Sequence, residues 1–257
     1  MKIGTFNIRC SWEGDGINSF VHRSGMILQK IREEKPDVIA FQEVTDKICD
    51  FLQEYLPEYY LLGHGRMENY KGEGVFTAIR KDSIQLISVD TTWMTDTPYV
   101  YSALPKQICP RTCVISIVKE KNSGEMFLVC NTHLDHLQGK EGEEVRINEL
   151  KIIAERICEE QRKRDIPCII LGDFNTIPDS EVIEYCNHEF VPQISDVTRD
   201  ILTSFHDFGR MEMVNYKIDY IYVEQRLMPK VKEVQLWDEE MDGIYLSDHY
   251  PIFIEIK

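Results

Sequence analysis

Apolar residues in this chain come in short uninterrupted runs, and most of those runs end on polar residues. Residues 2–9, 37–44, 167–171 and 218–223 are predicted to be buried strands. Continuous apolar runs of roughly four to eight residues, bounded by turn signals, fit strands covered on both faces. Residues 58–63, 74–80, 84–93, 231–237 and 252–256 read as further strands from their Val, Ile, Tyr and Phe content. Residues 112–119 and 125–132 form a predicted hairpin through Lys121-Asn122-Ser123-Gly124. Helical spacing appears in other places. Phe20, Val21, Ile27, Leu28 and Ile31 predict a helix over Phe20–Glu34, stopped by Lys35-Pro36. Thr45 is placed to cap a second helix running to about Leu56. A long helix is expected over about 142–164, with Val145, Leu150, Ile153, Ile157 and Cys158 near helical spacing. Pro178-Asp179-Ser180 starts a short one. Residues 94–111 and 187–215 read as long irregular stretches. The order begins β-α-β-α and then turns to hairpins. It predicts a mixed sheet sandwich with helices outside, and one domain over 1–257.

The polar ends of the runs are the informative part. The central stretch is Pro167-Cys168-Ile169-Ile170-Leu171-Gly172-Asp173-Phe174-Asn175. A carboxylate and an amide together at the end of a buried strand are costly unless something uses them. The ordinary reading of Asp and Asn there is an Asx turn. The same kind of ending recurs, however, and the polar ends are Asn7, Glu43, Asn131, His133, Asp173, Asn175, Asp219, Asp248 and His249. In a sandwich such ends can meet on one rim. The set is rich in oxygen, as a hard cation such as Mg²⁺ prefers, and it lacks the thiolates of a structural zinc site. Two imidazoles with acids to orient them suit the polarisation of water. Together these residues point to metal-assisted hydrolysis of a phosphate ester. Each also has an ordinary structural reading: Asn7 ends a strand, Glu43 caps the following helix, and one of His133, Asp135 and His136 is structural.

Composition narrows the partners. Apolar content is ordinary at 43 % and the formal net charge is −15. A chain this acidic is a poor reader of duplex DNA unless its basic residues cluster, because polyanions are bound largely through Lys and Arg contacts to phosphate. The acidity suits a divalent cation and a small phosphorylated substrate. The eight cysteines contain no CxxC pair, and several lie inside apolar runs, so they read as reduced thiols in a cytoplasmic protein. No run of about 18 apolar residues occurs, and the N-terminal apolar run is too short for a secretory leader. No membrane and no obligate protein partner are expected.

Six motifs, in order, carry a resemblance. They are Thr5-Phe6-Asn7-Ile8-Arg9, Phe41-Gln42-Glu43-Val44, Asn131-Thr132-His133-Leu134-Asp135-His136, Gly172-Asp173-Phe174-Asn175, Ile218-Asp219-Tyr220-Ile221 and Ser247-Asp248-His249-Tyr250-Pro251. In these the chain resembles the endonuclease/exonuclease/phosphatase superfamily, most of all its small bacterial members of unknown substrate. The resemblance implies an α/β fold, a four-layer α/β/β/α sandwich of two packed mixed sheets with helices outside. It implies a divalent-metal-dependent hydrolase of phosphate esters, acting on a small phosphorylated molecule or a nucleic-acid end. By it, Glu43 binds Mg²⁺ (or Mn²⁺), helped by Asn7 and Asp248. His249 contacts the scissile phosphate or the attacking water and is oriented by Asp219. Asp173 positions or deprotonates that water, Asn175 holds the phosphate, and His133 stabilises the phosphate or the leaving oxygen. Asn131, Arg111 and His206 are carried over as substrate-binding residues. Arg111 has a surface salt bridge as its alternative reading. The loop Thr203-Ser204-Phe205-His206-Asp207-Phe208 either lines the pocket with His206 and Phe208 or packs over the rim.

Arg9 departs from the pattern of the apurinic endonucleases, which have an acid there, so the number of metals stays open. Two other functions compete: a nuclease or deadenylase-like exonuclease, which needs a basic groove, and a catalytically inactive binding module of the same fold. An inactive copy is free to lose Glu43, Asp173 or His249, and all three are present.

Overall fold

The computed structural model describes residues 1–211 and 215–257. Its strands are β1 (Lys2–Asn7), β2 (Val38–Val44), β3 (Tyr59–Gly65), β4 (Gly74–Arg80), β5 (Ile84–Trp93), β6 (Thr112–Glu120) and β7 (Met126–His133). They continue with β8 (Cys168–Asp173), β9 (Ile194–Asp196), β10 (Asp219–Glu224), β11 (Val231–Leu236), β12 (Glu240–Met241), β13 (Ile244–Tyr245) and β14 (Ile252–Ile256). The α-helices are α1 (Phe20–Glu34), α2 (Asp46–Tyr55), α3 (Gly139–Lys163) and α4 (Glu181–His188).

Among the described residues the strands form two six-stranded sheets, ordered β11-β14-β1-β2-β4-β3 and β5-β6-β7-β8-β10-β9. Three apolar layers account for the stacking. One lies between the sheets and joins Ile3, Val38, Ala40 and Ile254 to Val129, Ile169, Leu171 and Ile221. A second packs Phe6, Ile39 and Phe41 under α1 and α2 through Ile27, Ile31, Ile48 and Leu52. The third packs Leu128, Cys130 and Ile170 under α3 and α4 through Leu150, Ile153, Ile157 and Val182. Strands covered on both faces must be apolar on both, which is why the runs were uninterrupted. The result is the four-layer α/β/β/α sandwich.

Each sheet has one parallel pair, β1 with β2 and β7 with β8. Each pair is joined by a helical crossover, α1 or α3, as parallel strands require. Both pairs therefore deliver two strands that end at the same edge. Asn7 and Glu43 leave one sheet there, and His133 and Asp173 leave the other.

Details depart from the sequence reading for local reasons. Thr45 stands at the N-cap of α2, but its hydroxyl makes no capping bond. Ser180 does cap α4, accepting from the Ile183 amide at 3.3 Å. The long helix starts at Gly139, three residues early. The stretch 187–215 is not wholly irregular, since Ile194–Asp196 pairs with β10; such a short strand exists only through that pairing. Residues 212–214 of it lie outside the described residues. Of the described helices, none is long and apolar enough to cross a membrane.

Candidate active site

Strand register builds the site. β8 is flanked by β7 and β10, and Asp173 stands opposite His133 on one side and Asp219 on the other. Three polar side chains thus share one row across the sheet. Gly172 makes the row possible. Its φ is +152°, and a Cβ there would lie 1.9 Å from the Thr132 carbonyl oxygen.

The facing sheet adds Asn7 and Glu43. Plain alternation would send Glu43 outward with Phe41, toward the helices. A break in the β2–β4 register between Phe41 and Val44 prevents this, and Glu43 takes φ +59°. The bulge turns its carboxylate into the cleft. There it accepts from the Asn7 amide at 3.0 Å and from the Cys10 backbone amide at 3.0 Å. The same Asn7 nitrogen donates to Asp173 at 3.0 Å. One amide thereby holds two carboxylates from two sheets.

His249 closes the group. The ring Nδ1 is 2.8 Å from an Asp219 oxygen, and Nε2 is 3.8 Å from Asp173. His133 Nε2 lies 3.6 Å from the same Asp173 oxygen. Asp173 also accepts from the Asn175 amide at 2.8 Å, an Asx turn with Asn175 at φ +50°. Asp219 is set by Ser204, whose hydroxyl accepts from the Ile218 and Asp219 amides at 2.9 and 3.0 Å. Asp248, buried, lies 3.5 Å from Arg9 Nε.

Electrostatics follow from burial. Burial, then the neighbouring Asp219, pushes Asp173 up to about 7. Burial alone would lower His249, but Asp219 outweighs it and raises the ring to about 10. His133 moves the other way, well below its ordinary value, through burial and then Arg111. Glu43 is held low despite burial, because Cys10 N–H, His249 and Asn7 stabilise its charge. Burial, then Glu43, pushes the Cys10 thiol up to about 12, so its sulfur is a neutral S–H.

This donor set fits a hard divalent cation. Glu43 and Asp248 present carboxylates to one cleft, with the Asn7 side chain bonded to Glu43. Asp173, Asp219 and His249 also have ligand atoms within 4.8 Å of one another. The 2.8 Å His249–Asp219 bond, however, makes that trio a hydrogen-bonded relay rather than a cation cage.

The cleft holds about 480 Å³ and is lined by Glu43, His133, Asp173, Asn175, Asp248 and His249, at sheet ends or in the turns beside them. Arg66, Glu73, Arg111 and His136, which come from connections, line it as well. Arg111, 3 % exposed, reaches His136 Nδ1 with Nη2 at 2.7 Å, while its Nε has no hydrogen-bond partner.

Two residues expected to bind substrate lie elsewhere. Asn131 is fully buried between the sheets. Its amide donates to the Phe41 and Phe76 carbonyls at 3.1 and 3.0 Å, and its oxygen accepts from Gln42 at 2.8 Å. It is a polar tie under the site. His206 faces away from the cleft: its Nδ1 accepts from the Gly209 amide and its ring stacks on Tyr250 at 3.9 Å. The loop is out of phase with the expectation. Phe205 and Asp207 line the cleft, and His206 and Phe208 are buried. Phe205 packs edge-on against His249 at 4.9 Å. Among His133, Asp135 and His136, the structural member is Asp135, which accepts from the Leu137 and Ile108 amides. Arg66 and Glu73 carried no sequence signal, because they sit in the β3–β4 connection.

Relatives share this fold. The model of the Endonuclease/Exonuclease/phosphatase family matches residues 4–249. A crystal structure of an endonuclease/exonuclease/phosphatase from Bacteroides vulgatus is 30 % identical, with a TM-score of 0.86 over 100 % of this chain and 98 % of that one. A mannosyl-6-phosphatase from Bacteroides thetaiotaomicron shares the fold at 24 % identity and TM-score 0.86, over 100 % and 99 % of the two chains. An uncharacterized protein of Acanthamoeba polyphaga mimivirus is 23 % identical over 91 % of this chain and 90 % of its own. With the family model matching residues 4–249, this chain belongs to the endonuclease/exonuclease/phosphatase family, whose members hydrolyse phosphate esters.

Proposed function

We propose that this protein is a divalent-metal-dependent hydrolase of a small phosphorylated substrate. The observation that carries the proposal is the Asp219–His249–Asp173 chain of contacts beside Glu43 and Asn7. Glu43, with Asn7 and Asp248, would hold Mg²⁺ or Mn²⁺. When bound, such an ion polarises a phosphoryl oxygen and neutralises charge in the transition state.

The chain's own residues supply the rest. Asp173 accepts a proton from the attacking water. It is fixed for that task by the Asn7 amide and the Asn175 N–H. His249, anchored through Nδ1 by Asp219, presents Nε2 to a phosphoryl oxygen. His133, on the other flank of Asp173, serves the leaving-oxygen side. Asn175 orients the phosphate, and Arg111, which lines the cleft, holds an anionic group of the substrate with its guanidinium charge. As the water oxygen bonds to phosphorus, the ester P–O bond breaks, the leaving oxygen takes up a proton from solvent, and Asp173 returns to solvent the proton it accepted.

A cleft of about 480 Å³ suits a small ligand. A net charge of −15 disfavours a long polyanion. The test is a hydrolysis screen with and without EDTA. It compares p-nitrophenyl phosphate, bis-p-nitrophenyl phosphate, nucleotides, sugar phosphates and a single-stranded oligonucleotide. Turnover that needs a divalent cation, prefers the small esters and is lost in His249→Ala is the expected result. Oligonucleotide cleavage outpacing every small ester would move the assignment to a nuclease. No turnover on any of them would support an inactive binding module.

A further inference from the structure

The rim of the cleft carries a second set of ligand-type side chains with different chemistry. Cys109 comes from the end of the 94–111 loop, and Asp135 and His136 from the segment after β7. They bring a sulfur, a carboxylate oxygen and a ring nitrogen within 4.8 Å of one another. None of the three belongs to the Asp173–Asp219–His249 group. Thiolate and imidazole select borderline-soft ions such as Zn²⁺, whereas Mg²⁺ takes oxygen.

We propose that Cys109, Asp135 and His136 form a binding site for a zinc-type divalent cation, separate from the oxygen-rich position beside Glu43.

The geometry supplies what such a site needs. Asp135 is fully buried and its carboxylate is fixed, one oxygen by the Leu137 amide at 2.8 Å and the other by the Ile108 amide at 3.1 Å. Each oxygen keeps a further lone pair for a metal. The Ile108 bond also ties the backbone beside Cys109 to that carboxylate, so loop and ligand are held together. His136 is exposed and gives an incoming ion access from solvent. Its Nδ1 already acts as an acceptor, toward Arg111 Nη2, so a metal can take the place of that donor. On binding, the Cys109 S–H bond is replaced by a sulfur–metal bond and the proton leaves to solvent. Three protein ligands leave a fourth position for water, the arrangement of an open zinc site.

Occupancy has a consequence for the cleft. Arg111 is shared between Asp135, at 3.7 Å, and His136, at 2.7 Å. An ion that takes both partners pushes the guanidinium away from them. This consequence rests on the reading of Arg111 as a substrate ligand; the site itself does not.

Cobalt titration of the metal-free, full-length protein tests the proposal. Cobalt bound to a thiolate shows an intense near-ultraviolet charge-transfer band that oxygen-bound cobalt lacks. Wild type should develop the band to one equivalent of Co²⁺, and Zn²⁺ should bleach it while excess Mg²⁺ does not. The band should vanish in Cys109→Ser, a near-isosteric change, and weaken at least tenfold in apparent affinity in His136→Ala. It should persist in Glu43→Gln and in Cys10→Ser, which remove the other cation position and the cysteine that lines the cleft. Persistence in Glu43→Gln holds whether or not the protein proves to be a hydrolase. No band in wild type at saturating Co²⁺, or a band that survives Cys109→Ser, overturns the site.

Discussion

The cleft residues fall into two groups, an acidic side and a basic side, made by different means. The acidic side is built from the ends of β1, β2, β8 and β10 and the turn before β14. It holds Asn7, Glu43, Asp173, Asp219, Asp248 and His249, nearly all buried and each fixed by a named contact. The basic side is built mainly from connections. Arg66 and Glu73 come from the β3–β4 link, Arg111 from the end of the long loop and His136 from the segment after β7. Sheet ends are rigid and hold reacting groups in place, whereas loops vary and set what is bound. The difference assigns chemistry to the first side and recognition to the second.

Breaking the acidic side should have the largest effect. Asp173→Asn or His249→Ala should each lower kcat by about 10²–10⁴, the usual worth of a positioned proton-transfer group, with the fold intact by circular dichroism. A change under tenfold in steady-state assays would remove these residues from the chemistry.

Next comes the packing beneath. Gly172→Ala puts a methyl 1.9 Å from the Thr132 oxygen, at a φ that side chains rarely adopt. A loss of roughly 3 kcal/mol or more in denaturant unfolding is expected. Wild-type stability would mean that the β7–β8 pair relaxes freely. Asn131→Ala strands the Gln42 side chain and two carbonyls between the sheets, and about 1–3 kcal/mol should be lost.

His206 sharpens the separation of structure from chemistry. Burial, then the nearby His249, lowers it to about 4, below the unfolded value near 6.5. The unfolded chain therefore binds a proton that the folded one refuses between pH 6.5 and 4. Stability from this residue is full above pH 6.5 and falls as pH drops through that window, by on the order of 3 kcal/mol. His206→Gln should flatten the pH dependence of unfolding in this range. An unchanged acid slope would contradict the assignment.

The smallest effect belongs to the recognition side. Arg111→Lys keeps the charge but loses the forked donor, and KM should rise roughly tenfold with kcat nearly unchanged. A fall in kcat with KM constant would place Arg111 in the chemistry instead.

What the sequence made legible follows the same division. Asp173, Asp219, His133 and His249 were readable because a polar residue ending a buried apolar run is costly without a use. The register then put three of them in one row. Asn131 obeyed the same signal for another reason: strand alternation turns it between the sheets, where it satisfies backbone carbonyls. Glu43 was legible as a strand end, but the bulge that aims it was not, since a bulge depends on the partner strand. In the 203–208 loop the facing is off by one, Phe205 and Asp207 lining the cleft while His206 and Phe208 are buried, because residue types alone do not fix which side of a loop turns inward. Arg66 and Glu73 gave no signal, since exposed charges in a connection look alike whether or not they face a cleft.

The most direct test is the Mg²⁺ dependence of turnover on the best small ester, in wild type and Glu43→Gln. Saturable activation of the EDTA-stripped wild type is expected, and in the variant a midpoint moved at least tenfold higher or activity lost outright. Undiminished turnover of the stripped enzyme, or the same Mg²⁺ curve for both proteins, would contradict that expectation.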